Sequence, residues 1–353
     1  MKVGILTLPL EDNYGGILQN WALQHTLKQL MHEPITIDYG LKYGWIRYFL
    51  SCGKTCLMRI KGISRSFPHR PRYGRYGSKF SNKFIHKQIS KTEPVNIPTE
   101  DLLNKHEIDA IIVGSDQVWR PIYNTRIENG FIGFAPNFTG KRIAYAASFG
   151  VDNWEFSDEQ TLICKELIKK FDAISVRESN GVSLCKEHFN VSAIHLLDPT
   201  LLVQRQDYFD LCKKVKPSNS FVAVYCLDMT DDKRKIIKDL ALKKNLPIRL
   251  FGANKDAKLS IEQWLAMFRD AESVITDSFH GTIFSIIFQK PFYSIVNEGR
   301  GTSRFYSLLS SLGLAERMQS DFFDKGINWE RVEKELSIFQ KKSLDFLIYS
   351  LSK

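Results

Sequence analysis

The sequence lacks any apolar run near the roughly 20 residues that a membrane-spanning helix requires. It also has little cysteine, because six cysteines are dispersed over 353 residues, which favours a reducing compartment over a disulfide framework. The metal-ligand spacings H-E-x-x-H and H-x-H are absent, so we predict no metal site. The apolar run 3–10 stops at Glu11 without a small-residue cleavage site, and we interpret it as a buried strand rather than a signal peptide. We therefore predict a cytoplasmic protein.

Short apolar runs alternate with longer helical stretches along the whole chain, which is typical of parallel strands joined by crossover helices. Hydrophobic residues make up 43% of the chain, enough for sizeable cores. The sequence therefore predicts an α/β protein. The predicted strands are 3–8, 35–38, 108–113, 142–147, 173–176, 193–196, 221–226, 248–251, 273–276 and 292–296.

The predicted strands fall into two series, separated by the polar, turn-rich stretch 216–220. We predict a Rossmann-like domain over 1–210 with an insertion at 39–92, and a second Rossmann-like domain over 211–325. A final amphipathic helix over 326–353 carries one apolar stripe and is expected to pack back on the body. Two such domains facing each other predict a ligand cleft between the carboxyl ends of their strands.

The insertion carries the excess of positive over negative charge in the molecule. Between Tyr39 and Thr92 there are 13 of the 49 Lys and Arg residues and none of the 39 acidic residues. Three anionic partners fit, namely a membrane surface, a pyrophosphate-bearing substrate or nucleic acid, and a solvated insertion without function is a fourth interpretation. No signature of an RNA- or DNA-binding module is present, so we predict no nucleic-acid partner. We favour peripheral association with the inner face of the cytoplasmic membrane.

A polar loop with two glycines follows the first strand. It lies at the start of a helix, where backbone N–H groups can meet a phosphate or a polar sugar group. Neither G-x-G-x-x-G nor G-x-x-x-x-G-K-[ST] is present, so this is not an ordinary dinucleotide site or P-loop. A binding loop and a plain turn both fit the pattern. The candidate contacts to such a sugar group are Asn13, Tyr14, Gly15 and Gly16.

A second polar loop, Gly114-Ser115-Asp116-Gln117-Val118-Trp119, follows the strand that ends at Val113. Its position places Asp116 and Gln117 at the cleft. Asp116 could deprotonate a sugar hydroxyl or simply cap a short helix. Trp119 could be an aromatic platform for a sugar or a core residue.

Cationic side chains follow other predicted strands. Arg177 comes at the end of one strand, where its guanidinium could bind a carboxylate or phosphate or stay structural. His280 opens a helix beside a positive helix terminus and is the candidate general acid, with a structural histidine as the alternative. Arg300 and Arg304 flank the start of a later helix and suit an anionic ligand or solvent.

The ordered set of these motifs resembles the polysaccharide pyruvyl transferase family over about residues 2–315. The motifs that carry the resemblance are the Asn13-x-Gly15-Gly16 loop, Gly114-Ser115-Asp116-Gln117-Val118-Trp119, Ala144-Tyr145-Ala146-Ala147-Ser148-Phe149-Gly150, Ser175-Val176-Arg177-Glu178, Asp198-Pro199-Thr200 and Ser278-Phe279-His280-Gly281. Each motif is weak alone, but the ordered set is specific.

The resemblance implies a GT-B-like pair of domains and an enzyme that transfers pyruvate from phosphoenolpyruvate to two hydroxyls of a sugar. The product is a cyclic ketal on a bacterial capsule or exopolysaccharide, or on its lipid-diphosphate-linked precursor. The family's donor contacts fall on Arg177 and His280, beside Ser278 and Gly281 at the helix start. Many members have Arg where this chain has Ser278, so Arg304 or Arg300 would supply the second cation. The resemblance implies no metal or other cofactor beyond the donor itself.

Two other functions fit the same residues. One is a GT-B glycosyltransferase that uses a nucleotide sugar, since the fold alone does not determine the reaction. The other is a non-catalytic protein that binds anionic glycans or a membrane surface. Binding of a nucleotide would distinguish the first, and acceptor binding without phosphate release would distinguish the second.

Overall fold

The computed structural model describes residues 1–40, 45–60, 79–252, 259–296, 301–323 and 325–352. All ten strands expected from the sequence are present, with ends within two residues of the predicted ones. They form two parallel sheets, as the alternation of short apolar runs and helical stretches predicts. The predicted α/β class, with two Rossmann-like units facing a cleft, is confirmed.

The first sheet has the strand order β2-β1-β3-β4-β5-β6. Apolar residues face one another along it, for example Val3 opposite Ala110 and Ile5 opposite Ile112. Its strands are β1 (Lys2–Leu6), β2 (Glu33–Thr36), β3 (Ala110–Val113), β4 (Lys141–Ala147), β5 (Ala173–Val176) and β6 (Ile194–His195). The helices that precede β6 are α1 (Tyr14–Gln29), α2 (Trp45–Ile60), α3 (Lys79–Gln88), α4 (Glu100–Lys105), α5 (Asp158–Ile168) and α6 (Ser179–Leu184).

The second sheet has the order β10-β9-β7-β8. Its strands are β7 (Val222–Tyr225), β8 (Ile248–Leu250), β9 (Ser273–Thr276) and β10 (Phe292–Ser294). The remaining α-helices are α7 (Arg205–Cys212), α8 (Asp231–Lys244), α9 (Ile261–Asp270), α10 (Phe279–Ile287), α11 (Ser303–Ser311) and α12 (Trp329–Leu351). Helix α7 lies between the two sheets in sequence and packs on α9.

Each sheet has a point where the direction of strand succession reverses. In the first sheet this point lies between β1 and β3, and in the second between β7 and β9. Ligands of open parallel sheets bind at such crevices, outside the carboxyl ends of the strands. The segments that follow β1, β3 and β9 contain the predicted site residues other than Arg177, Arg300 and Arg304, so the topology brings them to the two crevices.

A continuous apolar core joins the two units. Tyr14 at the start of α1 stacks on Trp264 of α9 with ring centroids 5.4 Å apart, and Tyr208 meets Phe284 edge-on at 5.2 Å. Helix α12 returns from the second unit to the first, where the Ser343 hydroxyl accepts a hydrogen bond from the Leu197 amide at 3.2 Å. Stacked rings and a shared core hold the two crevices opposite each other.

The insertion at 39–92 contains helices α2 and α3, which were not predicted from the sequence. Helix α3 is stabilised because Phe84 and Ile85, and Ile89 directly after its end, enter the core beside α1. Tertiary burial of three apolar side chains outweighs a local composition dominated by lysine and polar residues. Among the described residues, no helix is both long enough and apolar enough to cross a bilayer.

Candidate functional site

The two loops of the first crevice are tied to each other through helix α1. Asn13 caps α1 by accepting a hydrogen bond from the Gly16 amide at 3.2 Å. Gln19, one turn further along, accepts a hydrogen bond from the Ser115 amide at 3.1 Å. The Asp116 carboxylate lies so close to α1 that a Cβ on Gly16 would be 3.3 Å from Oδ2. Asp116 is therefore presented over the N-terminus of α1, where a negative charge is favourable.

Glycine at position 114 is required by the backbone. Its φ of +131° is one that residues with a side chain rarely adopt, and a Cβ there would lie 2.1 Å from the Tyr145 carbonyl oxygen. The chain therefore leaves β3 in close contact with β4. This close approach fixes the direction in which Ser115 and Asp116 enter the crevice.

Arg177 and Asp198 form a buried ion pair at the carboxyl ends of β5 and β6. The distance from Arg177 Nη1 to Asp198 Oδ2 is 2.9 Å, and both residues are 2% exposed. The other carboxylate oxygen of Asp198 accepts hydrogen bonds from the amide and hydroxyl of Thr200, at 3.1 and 2.7 Å. Ser115 adds a hydroxyl hydrogen bond to Oδ2 at 3.3 Å. Asp198 is thus held from three sides, and it holds Arg177 in turn.

Arg177 keeps one edge of its guanidinium without a hydrogen-bond acceptor. Nε and Nη2 are buried and have no hydrogen-bond partner among the described residues. Asp116 Oδ1 lies 3.9 Å from Nη2, too far for a hydrogen bond. These two atoms form one side of the planar group and match the spacing of two carboxylate or phosphate oxygens. The arrangement can therefore bind an anion bidentately.

His280 reaches this cluster from the second unit. It lies in the first turn of α10, which Ser278 caps by accepting a hydrogen bond from the Gly281 amide at 3.3 Å. The imidazole Nε2 is 3.5 Å from Asp198 Oδ2, and the Nδ1 edge faces Gly15, where a Cβ would lie 2.1 Å away. His280 therefore sits between a carboxylate and a helix N-terminus of the first unit. The candidate site exists only where the two units meet.

A second arginine approaches from α11. The guanidinium carbons of Arg177 and Arg304 lie 4.8 and 5.4 Å from the centroid of the Phe279 ring, within the range of cation–π contacts. Burial and the charge of Arg177 lower the pKa of Arg304 to about 10, while Glu178 and Asp116 act in the opposite sense. Arg304 is therefore a cation at neutral pH, and it shares one aromatic ring with Arg177.

Burial acts to raise the pKa of Asp198, but His280, Arg177 and Thr200 outweigh it and hold that pKa well below the usual range. Asp198 is therefore a carboxylate throughout the physiological range and serves as the permanent counter-charge of the cluster. No group of three or more His, Cys, Asp or Glu side chains in the described part of the chain is arranged to hold a metal ion.

The structure brings together most of the predicted residues and corrects two acceptor contacts. Arg177, His280, Asp116, Gly15 and Gly16 meet within one cluster, as described above. Gln117 lies at its edge, where its side-chain oxygen accepts a hydrogen bond from Arg120 at 3.3 Å.

Trp119 is fully buried, stacks on Phe131 at 5.0 Å and donates its indole N–H to the Gly130 carbonyl. It is a core residue, and its assignment as a sugar platform is wrong because neither ring face is open. Tyr14 is also buried, with its hydroxyl bonded to the Leu259 carbonyl at 2.8 Å. Its role is to join the units rather than to face a ligand.

The other residues predicted to contact the donor are Ser278, Gly281 and Arg300. The Ser278 hydroxyl is used to cap α10, and Gly281 packs on β9, where a Cβ would lie 2.2 Å from Thr276 Oγ1. Arg300 lies outside the described residues.

Asp198 is the central residue that the sequence analysis did not assign to the site. Its signal was present, because the triplet Asp198-Pro199-Thr200 follows the last strand of the first series, at the same sheet edge as Arg177. Asp198 is a polar residue that follows a strand, as Asp116 is, and this position alone makes it a candidate site residue. Phe279 gives no such signal, since an aromatic next to a histidine is equally typical of a core.

Several solved structures are similar in fold at low sequence identity. S. aureus MnaA in its complex with UDP covers 96% of this chain and 91% of its own, at 12% identity and a TM-score of 0.48. UDP-GlcNAc 2-epimerase of Methanocaldococcus jannaschii covers 96% and 93%, at 11% identity and a TM-score of 0.47. Arabidopsis thaliana UGT89C1 with UDP-L-rhamnose covers 98% of both chains, at 9% identity and a TM-score of 0.49. Scores below 0.5 identify neither a ligand nor a reaction for this chain.

No curated protein matches the sequence. The sequence model of one family does, over residues 13–299, a range that contains every residue of the cluster except Arg304. The match covers most of the chain, and this protein therefore belongs to the polysaccharide pyruvyl transferase family.

Proposed function

We propose that this protein transfers pyruvate from phosphoenolpyruvate to two hydroxyls of a sugar, forming a cyclic ketal on a surface polysaccharide or its lipid-linked precursor. The family match supports a pyruvyl transferase. The observation that carries the choice of donor is one edge of the Arg177 guanidinium, whose buried Nε and Nη2 lack acceptors among the described residues. A buried cationic donor without a partner is costly, and an anionic ligand removes that cost.

The charges around this edge suit a ligand with two anionic groups. Phosphoenolpyruvate carries a carboxylate and a phosphate, and Arg177, Arg304 and His280 supply cationic donors from both units. The N-terminus of α10 adds backbone N–H groups on the same side. Asp198 balances part of this charge.

Arg304 supplies the cation that many family members carry two positions before the histidine. This chain has Ser278 there, and its hydroxyl caps α10 instead. Arg304 reaches the same ring as Arg177 from the neighbouring helix α11. A cation brought from another element replaces the one missing from the motif.

The proposed reaction needs one acid and one base. Protonated His280 donates its proton to C3 of the donor, and C2 gains oxocarbenium character that the surrounding carboxylates stabilise. A sugar hydroxyl then bonds to C2 while Asp116 accepts its proton. The C2–O bond to phosphate breaks with return of a proton to the leaving phosphate, and a second hydroxyl closes the ketal and reprotonates His280. One hydroxyl proton ends on C3 and the other on phosphate, so the reaction balances.

Calorimetric titration with phosphoenolpyruvate, UDP, GDP and CMP tests the donor without knowledge of the acceptor. We expect saturable binding of phosphoenolpyruvate alone. Arg177→Ala should abolish it, and Arg177→Lys should restore it only in part because the bidentate edge is lost. Arg205→Ala is the matched control, since Arg205 pairs with Glu333 on α12, away from the cluster. Tight binding of a nucleotide without phosphoenolpyruvate would refute the proposal in favour of a glycosyltransferase.

A further inference from the structure

Helix α2 turns a side to solvent that combines leucine and lysine. Leu50 is 69% exposed and Leu57 is 62% exposed, and Lys54 between them is exposed as well. Residues spaced by four and three positions share one side of a helix. Thr55, which lies away from this side, has no exposed surface and faces the protein. Leu50 and Leu57 therefore add exposed apolar surface on both sides of a lysine.

Helix α3 repeats the pattern. Phe80 is 45% exposed, and Lys83 and Lys87 follow it on the same side, also exposed. The adjacent side is fixed in the core through Phe84 and Ile85. We call the exposed sides of the two helices the basic surface. It consists of Leu50, Lys54, Leu57, Phe80, Lys83 and Lys87.

The charge of the surrounding sequence selects the partner. The segment between Tyr39 and Thr92 has 13 Lys and Arg and no acidic residue, whereas the rest of the chain has 36 against 39. Apolar side chains interleaved with lysines on an amphipathic helix are typical of elements that lie in the headgroup region of an anionic bilayer. The positive charge would also attract nucleic acid, but nucleic acid provides no apolar environment for the exposed leucines.

We propose that the basic surface docks this protein on an anionic lipid bilayer, with Leu50, Leu57 and Phe80 in the headgroup region and the lysines on lipid phosphates. At 16 residues, α2 is too short to span a bilayer and is long enough to lie along one.

The docked orientation brings the candidate site to the membrane. At the start of α3, the Ser81 hydroxyl donates to Asp12 Oδ1 at 3.0 Å, and Asp12 directly precedes Asn13 at the N-terminus of α1. Beyond the end of α3, Gln24 of α1 exchanges two hydrogen bonds with the Ser90 backbone, at 2.7 and 3.0 Å. Helix α3 is thus held against the helix that presents Gly15 and Gly16. An acceptor whose lipid tail stays in the bilayer would meet the cleft there, and this last step rests on the proposed function.

Vesicle flotation tests the docking by itself. The full chain is mixed with vesicles of phosphatidylcholine alone or with added phosphatidylglycerol, at low and at high salt. We expect flotation only with the anionic lipid, and a loss of about 100-fold in partitioning for the combined Lys54→Gln, Lys83→Gln and Lys87→Gln variant. The combined Leu50→Ser, Leu57→Ser and Phe80→Ser variant should still bind at low salt but detach at salt concentrations that the wild type tolerates.

A matched control comes from α8, which exposes lysines and a leucine on the second unit. The combined Lys235→Gln, Lys238→Gln and Leu242→Ser variant removes two exposed lysines and a leucine that is 68% exposed, and it should float like the wild type. Thermal unfolding checks that each variant is folded. Equal flotation with both lipids, or equal losses for the α8 and basic-surface lysine variants, would overturn the proposal. Binding of an oligonucleotide without binding of anionic vesicles would do so in favour of nucleic acid.

Calorimetry with phosphoenolpyruvate on the same variants separates the two proposals. The basic surface contains none of the residues of the Arg177 cluster, so donor affinity should be unchanged in all three variants. Vesicle binding by a wild-type protein that does not bind phosphoenolpyruvate would leave the docking intact and remove only its link to the acceptor.

Discussion

Replacing Gly15 with alanine tests whether the two units meet as the structure has them. A Cβ at this position would lie 2.1 Å from Nδ1, 2.3 Å from Cγ and 2.8 Å from Cε1 of His280. All three distances are shorter than van der Waals contact. Gly15 belongs to the first unit and His280 to the second, so the added methyl acts only where the units touch. Either the imidazole turns away from Asp198 or the units separate.

The size of the effect follows from two opposed contributions. Alanine in a helix is favoured over glycine by about 1 kcal/mol, which would stabilise α1. Overpacking a filled contact costs about 1–3 kcal/mol, so the free energy of unfolding should change by no more than about 2 kcal/mol. The imidazole, however, must move by more than about 1 Å, and misplacement on that scale can lower turnover about 100-fold. We therefore expect a folded protein with a large loss of function.

Gly53→Ala is the matched control, because Gly53 also lies in a helix and a Cβ there would meet nothing within 4 Å. Phosphate release from phosphoenolpyruvate, with a polysaccharide or lipid-linked acceptor fraction, measures turnover, and urea denaturation measures stability. The control should retain full turnover and gain up to about 1 kcal/mol in stability. Wild-type turnover in Gly15→Ala would refute the contact between His280 and α1.

Three further outcomes are expected. Asp198→Asn leaves the buried Arg177 without its counter-charge and should lower the free energy of unfolding by about 3–5 kcal/mol at pH 7. Because the pKa of Asp198 is depressed, its stabilisation is complete above about pH 4 and is lost as the pH falls further. Denaturation curves in which wild type and variant differ in stability as much at pH 2 as at pH 7 would contradict the assignment. Arg304→Ala should weaken phosphoenolpyruvate binding at least about 10-fold in calorimetry, with Arg304→Lys intermediate, and unchanged affinity would exclude Arg304 as the second cation. Iodoacetamide at pH 8 should label the exposed Cys56 and spare Cys164, whose pKa burial raises to about 12, and mass spectrometry detecting equal labelling would argue against that burial.

The fold was predictable because its strands are short apolar runs with β-branched residues, which local pattern alone identifies. Strand β9 is an example, since Ser273–Thr276 is fully buried with Val274 and Ile275 at its centre, and the charged Asp277 follows directly. The same logic placed Arg177 and Asp116 at strand ends.

Contacts between the units were not predictable in this way. The burial of Tyr14 depends on Trp264, which is 250 positions away in the sequence, and the closeness of Gly15 to His280 depends on how the two sheets face each other. Neither of these contacts follows from a local pattern in the sequence. Trp119 was ambiguous for a related reason, because a tryptophan after a strand fits a cleft or a core until its neighbours are known.

The buried edge of Arg177, which lacks acceptors among the described residues, and the tight contact at His280 together imply an order of events. Both Nε and Nη2 of Arg177 are closed off from solvent while His280 lies against Gly15 and Asp198. In the proposed reaction, the donor reaches that edge only when the units part, and it receives a proton from His280 only when they meet again. Because the buried donors of Arg177 lack acceptors, the closed form without ligand is penalised, and a bound carboxylate removes the penalty. The donor should therefore stabilise the closed form, and closure around it excludes water from C2 before the sugar hydroxyl attacks.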